Sequence, residues 1–210
     1  MTTTQRTPLE GLAWAIEQFE GGFQNDPDDS GNWVYLNDGT RKLIGTNHGV
    51  TPAALAHYTG QDPATVTVAQ ICNVTAEFAA KIGFDGYYDA PGWPRMPYSH
   101  MVDALVDFGW GSGPCLAVMK MRSLIGTAPD GMIGPLTRRA WHDFTDQDER
   151  NQLVDICLMR IEHYQAVVKK APATAKYLAG WSRRARSYLH GTPWFKLWHP
   201  DAPLTVDPER

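Results

Sequence analysis

The stretch LEGLAWAIEQFEGGFQNDPDDSG, residues 9 to 31, changes character at its middle. Up to Phe19, the apolar side chains Leu9, Leu12, Ala13, Ile16 and Phe19 recur at helical spacing, which predicts a helix from Pro8 to Phe19 with one face buried. Gly21 and Gly22 end it, because glycine adopts the backbone conformations with which helices close. Glu20 is left at the C-terminal edge. Beyond it, Asp26, Asp28 and Asp29 crowd beside Asn25 and Pro27. Turns select Gly, Asp, Asn, Pro and Ser for backbone reasons alone, so these residue types by themselves fit a capped helix and a solvated turn.

Outward from there, NWVYL (32 to 36) and RKLIG (41 to 45) flank Asn37-Asp38-Gly39, a pattern that predicts two strands joined by a tight Asp-Gly hairpin. Thr51-Pro52 supplies an N-cap with proline in the first helical turn, opening a short helix through His57. Further helices are expected near 67 to 72, 75 to 84, 97 to 109, 114 to 125, 135 to 144, 148 to 170 and 173 to 189. The predicted class is mainly α with one small β-hairpin. The Pro-rich DAPGWPRMP (89 to 97) marks an internal boundary, since proline restrains itself and the residue before it. It divides residues 1 to 96, a lobe carrying Glu20 and the hairpin, from a helical lobe at 97 to 191, the two packed as one compact unit. Residues 192 to 210, with four prolines, are expected to form an extended tail.

The chain has 210 residues, 43% hydrophobic and 20% charged, a globular composition long enough to bury a real core. Its net charge of -4 argues against broad capture of nucleic acid or of an anionic membrane, both of which need a basic footprint. No run is long and apolar enough to span a bilayer, and the opening residues lack a secretory apolar core, so synthesis in the cytosol without a signal peptide is expected. Cys72, Cys115 and Cys157 lie too far apart for a local metal motif; they are read as free thiols in the core. The histidines, among them His57, His100 and His142, have no zinc-motif spacing, so neither a metal nor a cofactor is expected.

A carboxylic acid gives up a proton at neutral pH only if its neutral form is favoured. A partly desolvated position at the C-terminal end of a helix dipole works in that direction for Glu20. A second carboxylate in the wet turn would stay ionised. That division of labour is the one glycoside hydrolysis requires.

FEGGFQNDPDDSG (19 to 31), together with GTNHGVT (45 to 51), resembles the start of the muramidases of glycoside hydrolase family 108. VDFGWGSGP (106 to 114) and APDGMIGPLTRRAW (128 to 141) resemble the companion region of that family, usually described as a predicted peptidoglycan-binding segment, and YLAGWSRRA (177 to 185) is similar to its closing Gly-Trp-x-x-Arg element. The resemblance implies a lysozyme-like helical fold and N-acetylmuramidase activity. It implies the general-acid role for Glu20. Asp29 and Thr46 are expected to position or activate water, with Asp26 the rival second carboxylate. Asn25 and Asp26 match acidic-turn positions and are expected substrate contacts. The chain departs from the family pattern at Phe23 (usually Tyr), at Gly111 (often Asn), at Met121-Arg122 (often Leu-Gln), and in residues 33 to 44, which are interposed before Thr46.

His48 is kept as a substrate contact beside the more ordinary reading of a hydrogen-bonded structural histidine. Tyr87, Tyr88, Trp93 and Trp110 are candidates for aromatic walls on which sugars stack, with Tyr88 and Trp93 placed first. Trp181 is read as core, and Arg183, Arg184 and Arg186 as a solvated face. Asp130-Gly131 and Gly134-Pro135 read as a turn and a helix start in a second lobe that closes the same cleft.

The expected reaction is cleavage of the β-1,4 bond between N-acetylmuramic acid and N-acetylglucosamine by a monomer whose partner is the peptidoglycan glycan strand. Room for a water between two carboxyls, roughly 6.5 to 9.5 Å apart, would give inversion. The expected setting is a phage endolysin released to the wall through a holin. Competing readings are a non-catalytic peptidoglycan-binding protein, a lytic transglycosylase, or a chitinase-type enzyme.

Overall fold

The computed structural model describes residues 7–146 and 149–189, so the expected tail at 192–210 lies outside the described residues. Helix α1, Pro8–Phe19, opens on a capping box: Thr7 accepts from the Glu10 amide while the Glu10 side chain accepts from the Thr7 amide, and Pro8 occupies the first turn. It buries Leu12, Ala15 and Ile16. After the acidic turn, strands β1 (Trp33–Tyr35) and β2 (Arg41–Leu43) pair antiparallel, with Val34 opposite Lys42.

Helices α2 (Pro52–Thr59), α3 (Val68–Cys72) and α4 (Ala76–Gly83) follow, each started by a threonine whose hydroxyl accepts a backbone amide. The remaining helices are α5 (His100–Ser112), α6 (Pro114–Leu124), α7 (Pro135–Thr145), α8 (Glu149–Lys170) and α9 (Leu178–Ser187), with a short 3-10 segment at Pro172–Tyr177 before α9. The fold is mainly α with one small hairpin.

Two cores meet at α1. Its Ile16 joins Val34, Ile44, Val50, Ile71 and Ile82 in a smaller core between α1, the hairpin and α2–α4. Its Leu12 joins the larger core of α5, α6, α8 and α9, where Phe108, Met121, Ile156 and Leu189 are fully enclosed. One helix thus couples both bodies, and Glu20 sits at its end. Buried Arg122 organises the loop before α7: it donates to the carbonyls of Ala128 and Met132 (the latter at 2.6 Å) and to Thr137, and it pairs with Asp130 at 3.1 Å. The loop's turn uses Gly131 at φ 78°.

Three expectations change. The hairpin is joined by a looser loop, 36–40, closed by the Leu36 amide donating to the Thr40 carbonyl at 2.8 Å; only Gly39 has positive φ, because Asp38 instead accepts from the Thr40 amide. Helix α4 runs on into a π-helical turn, Phe84–Asp89. Within the Pro-rich segment, Trp93 and Met96 are buried in the larger core. Cys157 is buried as expected, where burial pushes its thiol up to about 11, but Cys72 and Cys115 are exposed, because each falls on the outward face of its helix.

Candidate active site

Glu20 caps the C-terminus of α1: its backbone is already extended, yet its amide still donates to the Ile16 carbonyl at 2.9 Å. This fixes where the side chain leaves the helix. A second turn closes over the carboxyl. Gly49, at φ 76°, comes so near that a Cβ there would lie 2.6 Å from Trp110 Nε1 and 2.9 Å from Glu20 Oε2. Only glycine permits that approach. The turn is held from beneath by Asn47, whose Nδ2 donates to the carbonyls of Ile71, Cys72 and Val74 at 3.0–3.2 Å. The His48 amide, in turn, donates to the Gly21 carbonyl at 3.2 Å.

The acidic turn forms one wall of the groove that Glu20 faces. Gln24 and Thr46 exchange both backbone hydrogen bonds, at 2.9 and 2.8 Å, which brings the threonine beside the turn despite the interposed hairpin. Asp29 Oδ1 accepts from the Gly31 amide at 2.9 Å and Oδ2 accepts from Gln24 Nε2 at 2.9 Å. Asn32, fully buried, donates to Gln24 Oε1 and to the Asp26 carbonyl. Asp26 Oδ1 accepts from the Asp28 amide at 2.9 Å, a local Asx turn. Thr46 Oγ1 is buried and has no hydrogen-bond partner. A buried hydroxyl in that state is a natural place for a bound water or a substrate group.

The opposite wall comes from the C-terminal third. Thr174, Tyr177, Trp181 and Arg184 face the groove, which has a volume of about 810 Å³ and a floor of Trp110 and Gly111. Lys176 sits 5.0 Å over the Tyr177 ring; its ammonium pKa is raised first by that tyrosine and further by Asp26 and Asp28 across the groove.

From this wall an ion chain reaches Glu20. Arg184 Nη1 donates to Glu20 Oε1 at 2.6 Å, with side-chain exposures of 15% and 18%. Its Nε and Nη2 both meet Asp107 Oδ1, at 2.9 and 2.8 Å. Asp107 Oδ2 accepts from Arg160 Nη2 at 2.6 Å, and Arg160 Nη1 donates to the Ala104 carbonyl at 2.9 Å. Burial alone would push the Asp107 carboxyl up, but Arg184 and Arg160 outweigh it and hold it below the ordinary carboxylate value. For both arginines, burial disfavours the charge. For Arg184 the carboxylates of Asp107 and Glu20 more than restore it, and for Arg160 Tyr164 and Asp107 do the same. Glu20 is therefore partly buried at a helix end, as its sequence context suggests, but it faces a cation rather than an apolar wall.

The structure brings Glu20, Asp26, Asp29 and Thr46 to one groove. Asn25 is exposed and, like His48, lies outside the groove lining. Tyr88 and Trp93, expected on a cleft wall, are corrected to core: Trp93 is fully enclosed, and Tyr88 packs against Phe84 and Tyr98 at 5.3 and 6.1 Å between ring centroids. Their chain segment turns inward. The aromatic rings that do line the groove are Phe23, Trp110, Tyr177 and Trp181. Arg184 and Arg186 are not a solvated face: the first is ion-paired and the second is 5% exposed, whereas Arg183 is exposed. One available signal was spacing, since residues 177, 181 and 184 fall four and three apart and so share a helical face. Among the described residues, no group of His, Cys, Asp and Glu is placed to hold a metal ion.

Comparison with known proteins agrees with this geometry. The glycosyl hydrolase 108 model matches residues 13–113, and the model described as a predicted peptidoglycan domain matches 117–186. The solved structure of Brucella abortus SagA shares the fold, with a TM-score of 0.66 at 24% identity over 87% of this chain and 91% of that one. No curated protein matches the chain. The chain thus carries a glycosyl hydrolase 108 segment followed by a predicted peptidoglycan domain, in the order of these models, as a glycoside hydrolase acting on peptidoglycan.

Proposed function

We propose that the protein is an N-acetylmuramidase that hydrolyses the β-1,4 bond between N-acetylmuramic acid and N-acetylglucosamine. The observation that carries this reading is the convergence of Glu20, Asp29 and Thr46 on one groove with aromatic rings along it. Glu20 protonates the glycosidic oxygen. Asp29, with both oxygens already oriented by Gly31 and Gln24, directs a water, while the unpartnered Thr46 hydroxyl holds that water from the other side. Tyr177 and Trp181 offer ring faces to the sugars. The second reading, a lytic transglycosylase, needs only the glutamate, so the Asp29–Thr46 pair favours hydrolysis.

The biological setting we propose is an endolysin made in the host cytoplasm that reaches the wall once the membrane is opened. Expression with and without a membrane-permeabilising partner tests it: lysis by the enzyme alone would overturn that setting. For the chemistry, purified sacculi are digested and the fragments weighed. Reducing N-acetylmuramic acid ends carrying the added water are expected. Anhydro ends would establish the transglycosylase, N-acetylglucosamine ends would overturn muramidase specificity, and binding without release would leave a non-catalytic protein.

A further inference from the structure

We infer that Asp107 and Arg160 are positioning residues for Glu20, acting through Arg184: the buried carboxylate fixes the guanidinium, and the guanidinium fixes how Glu20 presents its carboxyl to the groove. The inference rests on Glu20 being the proton donor.

The geometry leaves Asp107 no other part to play. Its side chain is 1% exposed and lies outside the groove lining, so it does not reach a bound glycan. Each of its oxygens is taken by a different arginine, Oδ1 by Arg184 and Oδ2 by Arg160, so the carboxylate cannot rotate without losing an ion pair. Arg160 is itself 1% exposed, donates to a helix carbonyl of α5, and lies between the rings of Phe108 and Tyr188 at 5.8 and 5.3 Å. Arg184 donates Nε to Asp107 Oδ1 and keeps Nη2 2.8 Å from the same oxygen, which leaves Nη1 aimed at Glu20 in the plane of a rigid fork.

Glu20 needs such an external brace. The two residues after it, Gly21 and Gly22, have no side chain to pack against its carboxyl; the His48 amide ties the Gly21 carbonyl at 3.2 Å, which holds the backbone and not the carboxyl. On the other side, Gly49 and Trp110 limit the carboxyl but donate no hydrogen bond to Oε1. A role in stability alone accounts poorly for the chain of charges, since buried ion pairs seldom outperform well-packed apolar residues of the same volume. A role in direction accounts for it: anions and cations alternate from Glu20 to Arg160, and each link is set by the next.

The test replaces Asp107 with Asn, which keeps its shape and removes its charge, and separately Arg184 with Lys, which keeps the charge and loses the fork. Turnover at saturating sacculi, the half-saturating sacculus concentration and the thermal midpoint are measured for each. Turnover is expected to fall about 100-fold in both, the size of loss that a small misplacement of a reacting group produces. Half-saturation should stay within about twofold, because the lost interaction acts in the transition state. A raised half-saturation with unchanged turnover overturns the inference, as does wild-type turnover or a loss that merely follows a reduced folded fraction. Should Asp107→Asn not fold, Arg184→Lys decides, since that side chain lies at the groove edge. Glu20→Gln runs in parallel. Activity in Glu20→Gln dismisses the proton-donor reading itself, whereas an inactive Glu20→Gln beside fully active Asp107→Asn and Arg184→Lys dismisses only the positioning.

Discussion

The two walls of the groove are built in opposite ways. The acidic turn is wet and local: its side chains are tied by hydrogen bonds between residues two to eight apart, such as Asp28 to Asp26 and Asn32 to Gln24. The facing wall rests on a dry and global base, held by contacts that span 164, 77 and 53 residues, from Arg184 to Glu20, Arg184 to Asp107 and Arg160 to Asp107. A local wall keeps its shape when one side chain changes. A global wall fails at a single link. Glu20 sits where they meet.

The largest expected effect is at that meeting point: Glu20→Gln should lower turnover on sacculi by about 10² to 10⁴-fold with the fold intact, the range a general acid supplies. Next, Arg160→Met should destabilise by about 3–5 kcal/mol in urea unfolding, because it leaves a buried carboxylate short of a cation. An effect under about 1 kcal/mol would show that the dry wall is as tolerant as the wet one. Acid should act on the same wall. The Asp107 carboxyl titrates below its ordinary 3.8 in the folded state because Arg184 and Arg160 outweigh the opposing effect of its burial. The unfolded chain therefore takes up that proton first. The stabilisation is fully present above pH 3.8 and is lost as pH falls through the folded value, and Asp107→Asn should flatten the acid limb of the stability curve. Tyr177→Ala should weaken retention of the inactive Glu20→Gln protein on sacculi by about 0.5–1.5 kcal/mol, the worth of an aromatic face contact. The smallest change belongs to the wet wall: Asp28→Ala should shift stability by no more than about 0.5 kcal/mol.

This contrast also explains what the sequence reveals. Helix α1, its glycine stop and the acidic turn are legible because caps, turns and periodicity act over a few residues. Glu20, Asp29 and Thr46 follow from a motif whose parts lie close in the chain, and the Gln24–Thr46 bridge shows why the interposed hairpin does not separate them. Arg184 is harder to read by the same logic, its one local signal being the face it shares with residues 177 and 181. A triplet of arginines on a short helix reads as a solvated face, and it is the packing of α9 against α8 that turns Arg184 inward to Asp107 of α5. Tyr88 and Trp93 fail differently. Flanking prolines and glycines resemble an exposed boundary, yet the larger core needed the volume of a tryptophan there and took it.

The ion chain crosses the border between the two family segments at every step. Glu20 and Asp107 belong to residues 13–113, and Arg184 and Arg160 to residues 117–186. Grafting either segment onto a foreign partner would strand two like charges, both carboxylates or both guanidiniums, and leave Glu20 and Arg184 without each other. Recombination that preserves function must exchange both segments together, so for protein engineering this hydrolase is one indivisible cassette rather than an enzyme with a detachable anchor.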